Sequence, residues 1–297
     1  MTNTIGWELY RSFLAVLTEG SLSGAARALD LTQPTVGRHV SALETALNQV
    51  LFTRSQVGLL PTEAAESLRG YAEAMRSTAA ALERAAAAHG PGVSGTVRIS
   101  ASEVVGIEVL PPALARLRRE HPGLKLELVA TNRVQNLLQR EADIAVRMAP
   151  PKQEQLIARH VGNVVIGLYA RKDYLRQHGT PATPADLARH TLIGFDEETP
   201  FLRTARKAFP AWTREALSMR ADSDLAQLAL IRAGAGIGFC QAALAARDRK
   251  LVRVLPQSCA LLLDTWVTMH EDLRHSPRCR AVFDALVQCL LAHTGQQ

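Results

Sequence analysis

Gly20-Ser-Leu-Ser-Gly-Ala-Ala-Arg-Ala-Leu29-Asp-Leu-Thr-Gln-Pro-Thr-Val-Gly-Arg38 is the stretch that decides how this chain is read. Ser21 stands where a helix cap belongs, and Leu22, Ala25, Ala26 and Leu29 recur at the spacing of one helix face. Asp30 to Gln33 forms a short break. Pro34 then suits the first turn of a following helix, where its missing N–H costs nothing. Upstream, Tyr10, Phe13, Leu14 and Leu17 mark another amphipathic helix, which Glu19-Gly20 ends with a glycine suited to the left-handed cap. Three short helices within about 45 residues, with a tight turn before the third, fit a helix-turn-helix.

The third helix is two-sided. Val36, Val40, Leu43 and Leu47 share the face that packs inward, and Pro34, Arg38, Ser41 and Thr45 share the opposite one, with Gln33 at the tip. Gln pairs bidentately with adenine and Arg with guanine, while small neighbours permit close approach, so this face suits the major groove. An ordinary solvated face carries the same residue types; the two preceding helices decide for DNA. Leu51-Phe-Thr-Arg54 and Val57-Gly-Leu-Leu-Pro-Thr62 read as a short β-hairpin wing, with Arg54 either a phosphate contact or a surface arginine.

Residues 63–88 read as one long helix. Leu68, Met75 and Leu82 recur every seven residues, and Ala72, Ala79 and Ala86 follow each by four, so this heptad seam predicts dimerisation. Gly90-Pro-Gly-Val-Ser-Gly95 breaks the helix and forms a hinge. Beyond it, strands at 96–100, 124–129 and 142–147 alternate with helices at 111–120 and 134–140, which predicts a parallel sheet covered by helices. The apolar strands 164–170 and 261–269 read as two crossings between a pair of lobes, whose interface favours a small ligand. The layout is therefore a winged helix-turn-helix over 1–62, a linker helix over 63–89, a hinge over 90–95 and an α/β domain over 96–297. Lobe I takes about 96–163 and 267–297, and lobe II about 164–266.

The net charge of +6 does not argue for DNA, because of where it lies. Residues 1–62 carry Arg11, Arg27, Arg38 and Arg54 against Glu8, Glu19, Asp30 and Glu44 and are neutral, whereas residues 95–297 carry an excess of +7. That excess fits solubility or an anionic ligand. No apolar run approaches the ~18 residues of a membrane span. The start lacks a basic segment followed by an apolar one, so a cytoplasmic protein without a membrane partner is expected. Cys240, Cys259, Cys279 and Cys289 form no C-x-x-C pair and read as structural thiols.

Phe13-Leu-Ala-Val16, Gly20 through Leu29, Thr32 through Arg38, Leu43-Glu44, Leu51-Phe-Thr-Arg54 and Leu60-Pro-Thr-Glu-Ala64 together closely resemble the LysR-type transcriptional regulators over about 60 residues. The resemblance continues more weakly through Ala142-Asp-Ile-Ala-Val-Arg147, Arg232-Ala-Gly-Ala-Gly-Ile-Gly238 and Pro277-Arg-Cys-Arg-Ala-Val-Phe283. It implies an N-terminal all-α winged helix-turn-helix, a dimerising linker helix and a two-lobed α/β effector-binding domain like that of periplasmic binding proteins. It also implies homodimers that commonly pair into homotetramers, double-stranded promoter DNA and a small-molecule effector as partners, and contact with RNA polymerase. Residue by residue, Gln33, Pro34, Thr35, Gly37 and Arg38 fall on the family's DNA contacts. Ser100, Ser102, Thr131 and Asn132 fall in loops lining its inter-lobe pocket, with Arg147, Phe195 and Ser223 nearby.

Three residues depart from the family pattern. Gly37 stands where Ser is usual, Val57 where a second Arg is frequent, and Gln241 where Pro is frequent. Each lost phosphate contact flattens the salt dependence of DNA binding by about 0.9 in slope, so weaker and more dimer-dependent binding is expected.

An enzyme and a secreted solute-binding protein compete with this reading. Gly234-Ala-Gly-Ile-Gly238 runs from helix to strand, the reverse of a dinucleotide site. G-x-S-x-G, Walker A and H-E-x-x-H patterns are missing, so no catalytic residue, metal or cofactor is expected. His270, His275 and Cys279 read as a mobile surface segment rather than a metal site. Helix-terminal N–H groups beside Ser100 and Ser102 suit an anionic or polar group, and Arg147, Arg203 and Arg206 tilt the expectation towards a carboxylate.

Overall fold

Helix α1 (Trp7–Glu19) buries Phe13, Leu14 and Leu17 of the expected face together with Val16, leaves Tyr10 half-buried, and is closed by Gly20 at φ 65°. The structure, a computed structural model, describes residues 5–55, 58–86, 92–132, 137, 141–151, 153, 155–198, 203 and 212–295. Helix α2 (Leu22–Leu29) is capped by Ser21, whose Oγ accepts the Gly24 N–H at 3.0 Å. Helix α3 (Gln33–Leu47) is capped by Thr32 and carries Pro34 in its first turn. Asp30 and Asn48 end α2 and α3 in the left-handed region, which short polar side chains tolerate better than most. Phe13, Val36, Leu43 and Leu51 form a core with no exposed surface.

Strands β1 (Phe52–Ser55) and β2 (Gly58–Pro61) pair antiparallel as a wing, with Arg54 opposite Leu59. Its tip, including Val57, lies outside the described residues. Gly58 takes φ +129°, and a Cβ there would stand 2.7 Å from the Gly20 carbonyl oxygen. The Leu59 N–H donates to that same oxygen at 2.9 Å, so the wing docks on the α1–α2 turn only with glycine at 58.

Helix α4 (Glu63–Ala86) revises the expected seam. Ala65 and Ala72 are buried in the helical core and Leu68 packs against it, so the first heptad faces its own chain. Met75 (39% exposed) and Leu82 (71%) remain on the surface, joined by Tyr71 (73%), and Ala79 is half-buried. The Ala86 side chain and hinge residues 90 and 91 fall outside the described residues.

The chain divides into two compact units, the first of which ends at Ala86. In the second unit β3 (Gly95–Ala101) leads through a π-type turn (Val105–Val109) to α5 (Pro111–Glu120), β4 (Leu124–Ala130) and β5 (Ile144–Arg147). The helix expected over 134–140 falls outside the described residues apart from Leu137. Next come β6 (Leu156–Arg171), α6 (Lys172–His178), β7 (Leu192–Gly194), β8 (Met219–Arg220), α7 (Asp224–Ala233) and β9 (Ile237–Gln241). Helix α8 (Ala242–Ala245), β10 (Leu251–Val254), β11 (Ala260–His270) and α9 (Pro277–Thr294) complete it.

The sheet runs β4-β3-β5-β11-β6-β9-β7-β8, with β10 also on β6. It is mixed rather than parallel throughout. β3 pairs parallel with β4 and β5, and β7 with β8 and β9, but β6 and β11 run antiparallel to each other and to their neighbours. A chain that leaves one lobe and later returns makes its two crossings in opposite directions. The crossings are also longer than the apolar runs suggested, and their register shifts between Asp264 and Trp266.

Tyr169 of β6 enters a cluster with Val97, Ile144, Leu228 and Val267, whereas its neighbours Leu168 and Ala170 enter a second one with Tyr174 and Trp212. That alternation covers both faces of the sheet. Cys279 is 1% exposed within α9, so this part of the expected surface segment is core.

Candidate functional site

The two faces of α3 separate as its periodicity requires. Val36, Val40 and Leu43 are buried; Gln33, Pro34, Arg38, Ser41 and Thr45 are exposed; Thr35 and Gly37 are half-buried. Small hydroxyls organise the exposed face. Ser23 Oγ donates to Gln33 Oε1 at 3.2 Å, Thr32 Oγ1 meets Thr35 Oγ1 at 2.8 Å, and Arg38 Nη2 donates to Thr35 Oγ1 at 3.4 Å. A Cβ on Gly37 would meet only Leu22 Cδ1, at 3.7 Å. Arg54 is exposed on β1.

Three supports of this face escaped sequence reading. Buried Ser12 joins α1 to α3 through His39 Nδ1 at 2.8 Å. Glu44 Oε1 accepts the N–H groups of Leu51 and Phe52. Thr62 Oγ1 donates to the Val50 carbonyl at 2.8 Å and accepts the Ala65 N–H at 3.2 Å, fixing the wing base and starting α4. Glu44 and Thr62 belong to quoted motif stretches, and that was their only signal.

In the second unit the seven residues expected to line an effector pocket fall into separate groups. Ser100 lies inside β3 rather than in a loop, with no exposed surface, and its Oγ accepts Arg147 Nη2 at 3.1 Å. The Thr131 N–H extends the β3–β4 region by donating to the Ala101 carbonyl, and the Ser102 carbonyl accepts the Gly106 N–H, each at 2.8 Å. Phe195 lines a cavity of about 340 Å³ in lobe II with Asp196, Trp212, Arg214 and Leu217. Arg203 is exposed, and Arg206 lies outside the described residues.

Asn132 and Ser223 are linked through Glu103 and Asp224, two acidic residues that sequence reading missed. Asn132 Oδ1 accepts the Glu103 N–H at 3.2 Å, and its Nδ2 donates to Asp224 Oδ2 at 2.7 Å. Ser223 caps α7, accepting the Ala226 N–H at 3.4 Å, and donates to Glu103 Oε2 at 3.1 Å. Burial raises the Asp224 carboxyl above its ordinary range; the Asn132 bond opposes that rise and the nearby Glu103 charge adds to it. The Ser223-Asp224 pair before an apolar run was a readable cap signal; nothing local marked Glu103.

Two further contacts join distant stretches of the second unit. Arg232 grips Glu108 with both terminal nitrogens, at 2.7 and 2.9 Å, and this bond holds the Glu108 carboxyl below its usual range. His293 Nε2 meets Gln241 Oε1 at 2.8 Å, so the residue standing in place of the family's proline has its own partner. Burial pushes His293 down to about 4, so the ring is neutral at pH 7 and its Nε2–H is the donor.

The glycine-rich run serves packing. α7 ends at Gly234, and a Cβ on Gly236 would stand 2.3 Å from the Thr191 carbonyl, which accepts the Ile237 N–H. Among the described residues no group of three or more His, Cys, Asp or Glu is arranged to hold a metal ion. Burial pushes the Cys240 and Cys259 thiols up to about 11, away from reactive thiolates. Among the described residues no helix is long and apolar enough to cross a membrane.

Residues 90–290 match the family model described as LysR substrate binding domain, and residues 7–66 match bacterial regulatory helix-turn-helix protein, lysR family. The chain is 31% identical over 186 residues to the HTH-type transcriptional regulator CrgA of Neisseria meningitidis serogroup C. That match spans 62% of each protein, less than two thirds of the relative's length. It is 27% identical over 290 residues to the probable HTH-type transcriptional regulator LtrA of Klebsiella pneumoniae, covering 94% of this chain and 93% of that one. The solved structure of CrgA from Neisseria meningitidis superposes with a TM-score of 0.60 at 27% identity, covering 95% of this chain and 98% of the other.

Proposed function

This chain belongs to the LysR family of bacterial regulators, and from that premise we propose that it is a sequence-specific DNA-binding transcriptional regulator modulated by a small molecule held between its two α/β lobes. One observation carries the reading: α3 buries Val36, Val40 and Leu43 and presents Gln33, Arg38 and Ser41 to solvent. Gln33 and Arg38 read base edges in the major groove, Pro34, Thr35, Gly37 and Ser41 let the backbone approach, and Arg54 holds a phosphate.

The protein works in the cytoplasm on promoter DNA and is not an enzyme. A second copy covers the exposed Tyr71, Met75 and Leu82 of α4 and the half-buried Ala79 between them, while Leu68 and Ala72 brace that helix from inside; dimers pair into tetramers and act on RNA polymerase. Ser102, Thr131, Asn132 and Ser223 form the rim of the effector site, Ser100 and Arg147 its floor and Phe195 its lobe II wall. Arg147 favours a carboxylate.

Footprinting of the full-length protein on DNA upstream of its own gene tests this reading. It predicts paired protected half-sites separated by about 10 base pairs or a multiple of that spacing. Uniform retention of any duplex with no protected site would overturn it.

A further inference from the structure

The two base-reading side chains of α3 are each held by a hydroxyl of their own chain. Ser23, in the first turn of α2, donates from its Oγ to Gln33 Oε1 at 3.2 Å. Thr35 Oγ1 accepts Arg38 Nη2 at 3.4 Å and lies 2.8 Å from Thr32 Oγ1. Ser23, Thr32, Gln33 and Arg38 are all exposed, so these bonds stand on the surface that meets the groove.

The bonds decide which polarity that surface shows. The Gln33 amide carries one acceptor oxygen and an NH2 with two donors. Ser23 takes the oxygen, which leaves the NH2 to face outward. Gln33 opens α3 and Ser23 lies in the first turn of α2, and the positive ends of two helices suit an oxygen better than an NH2. Between Thr32 and Thr35 either oxygen can donate. In both cases one hydroxyl hydrogen is left over, because Thr35 Oγ1 also accepts from Arg38 and Thr32 Oγ1 also accepts the Thr35 N–H, at 3.3 Å. The Arg38 guanidinium only donates. The start of α3 therefore offers hydrogen-bond donors to DNA.

A glutamine pairs bidentately with adenine by accepting from N6 and donating to N7, which needs both amide atoms at the base edge. With Oε1 tethered to Ser23, the Gln33 NH2 would meet the adenine amino group donor to donor. Guanine shows two acceptors, N7 and O6, along the same edge, whereas thymine shows one beside a methyl group.

We propose that Ser23 is a positioning residue that sets base preference: by holding Gln33 Oε1 it makes Gln33 a reader of guanine, so that Gln33 and Arg38 both read guanines of the half-site. This replaces the adenine pairing expected from residue type alone, and it rests on the DNA-reading function above. Ser23 acts through Gln33 and touches no base.

Full-length wild type first selects its preferred duplexes from a random-sequence pool, and Gln33→Ala then identifies the base pair whose selectivity depends on Gln33. Competition between duplexes carrying guanine or adenine at that pair gives the readout for wild type, Ser23→Ala and Ser23→Thr. Wild type is expected to favour guanine by roughly tenfold, and Ser23→Thr, which keeps the hydroxyl, to match it. In Ser23→Ala the released amide turns, and the ratio falls to within about twofold or swings towards adenine. The base pair read by Arg38 keeps its selectivity in all three, and unchanged thermal melting shows the fold intact. Adenine preferred by wild type, no base pair dependent on Gln33, or a guanine preference kept in Ser23→Ala would overturn the proposal. An equal loss of affinity for both duplexes in Ser23→Ala would also overturn it, by showing that Ser23 holds a phosphate. A pool from which wild type enriches no sequence overturns the DNA-reading function itself, and the proposal with it.

Discussion

Glu44 Oε1 accepts the backbone N–H of Leu51 at 2.8 Å and that of Phe52 at 3.3 Å, so one carboxylate on α3 sets where the wing begins. Leu51 has no exposed surface, and its N–H finds no water if the carboxylate is removed. Glu44→Ala is expected to destabilise the N-terminal unit by about 1–3 kcal/mol, and Glu44→Gln, which keeps an acceptor oxygen, by less. Thermal melts followed by circular dichroism check this; equal melting of Glu44→Ala and wild type would remove Glu44 from the account.

Gly37 has room for a side chain, since its Cβ would meet only Leu22 Cδ1 at ordinary contact distance. A glycine inside a helix costs roughly 0.5–1 kcal/mol relative to alanine. Gly37→Ala is therefore expected to raise stability by about that amount and Gly37→Ser by somewhat less. Only serine adds a hydroxyl to the exposed face, so only Gly37→Ser tightens DNA binding. A lower melting temperature for both variants would show the position to be crowded.

On α4 the two halves of the heptad pattern should respond differently to a charge. Leu82→Glu is expected to shift the oligomer towards smaller species in sedimentation while the melting temperature of the helical core holds. Leu68→Glu lowers that core's stability by about 1–3 kcal/mol, because Leu68 packs against Ala72 and its neighbours within one chain. The opposite pattern would restore the seam expected from periodicity.

Acid should weaken the second unit through His293. Its folded-state value of about 4 lies below the unfolded 6.5, so between these the unfolded chain binds a proton that the folded chain refuses. The contribution is complete above pH 6.5 and is lost as pH falls towards 4, by at most about 3 kcal/mol. Glu108 adds a separate loss at lower pH, as protonation below its depressed value releases Arg232. Urea melts at pH 7, 6 and 5 should show a smaller decline for His293→Gln than for wild type. Parallel declines would assign the acid sensitivity elsewhere.

Much of the first unit was legible because its determinants are local. Ser21 and Pro34 act on backbone within three residues, and the 3.6-residue period separated Val36 and Val40 from Arg38 and Ser41, whereas the Thr32 cap, read only as part of a break, emerged from the structure. Periodicity failed at Leu68 and Ala72 because a heptad looks the same whether its seam faces a partner or its own core. It was also silent on strand direction, so the antiparallel crossings of β6 and β11 emerged only from the pairing. Glu103 finds Ser223 across 120 residues, a contact with no local signature. The expected effector residues were chosen by position, and Ser100 shows the limit of that approach: its hydroxyl already holds Arg147 inside a strand.

The most direct test of the central claim is fluorescence anisotropy of full-length protein and Arg38→Ala on a duplex from just upstream of its own gene, beside a scrambled duplex, at physiological salt. The account predicts that wild type prefers the upstream duplex by about a thousandfold or more, and that Arg38→Ala loses about 1–3 kcal/mol of that preference. Equal, weak binding of both duplexes by both proteins would contradict it.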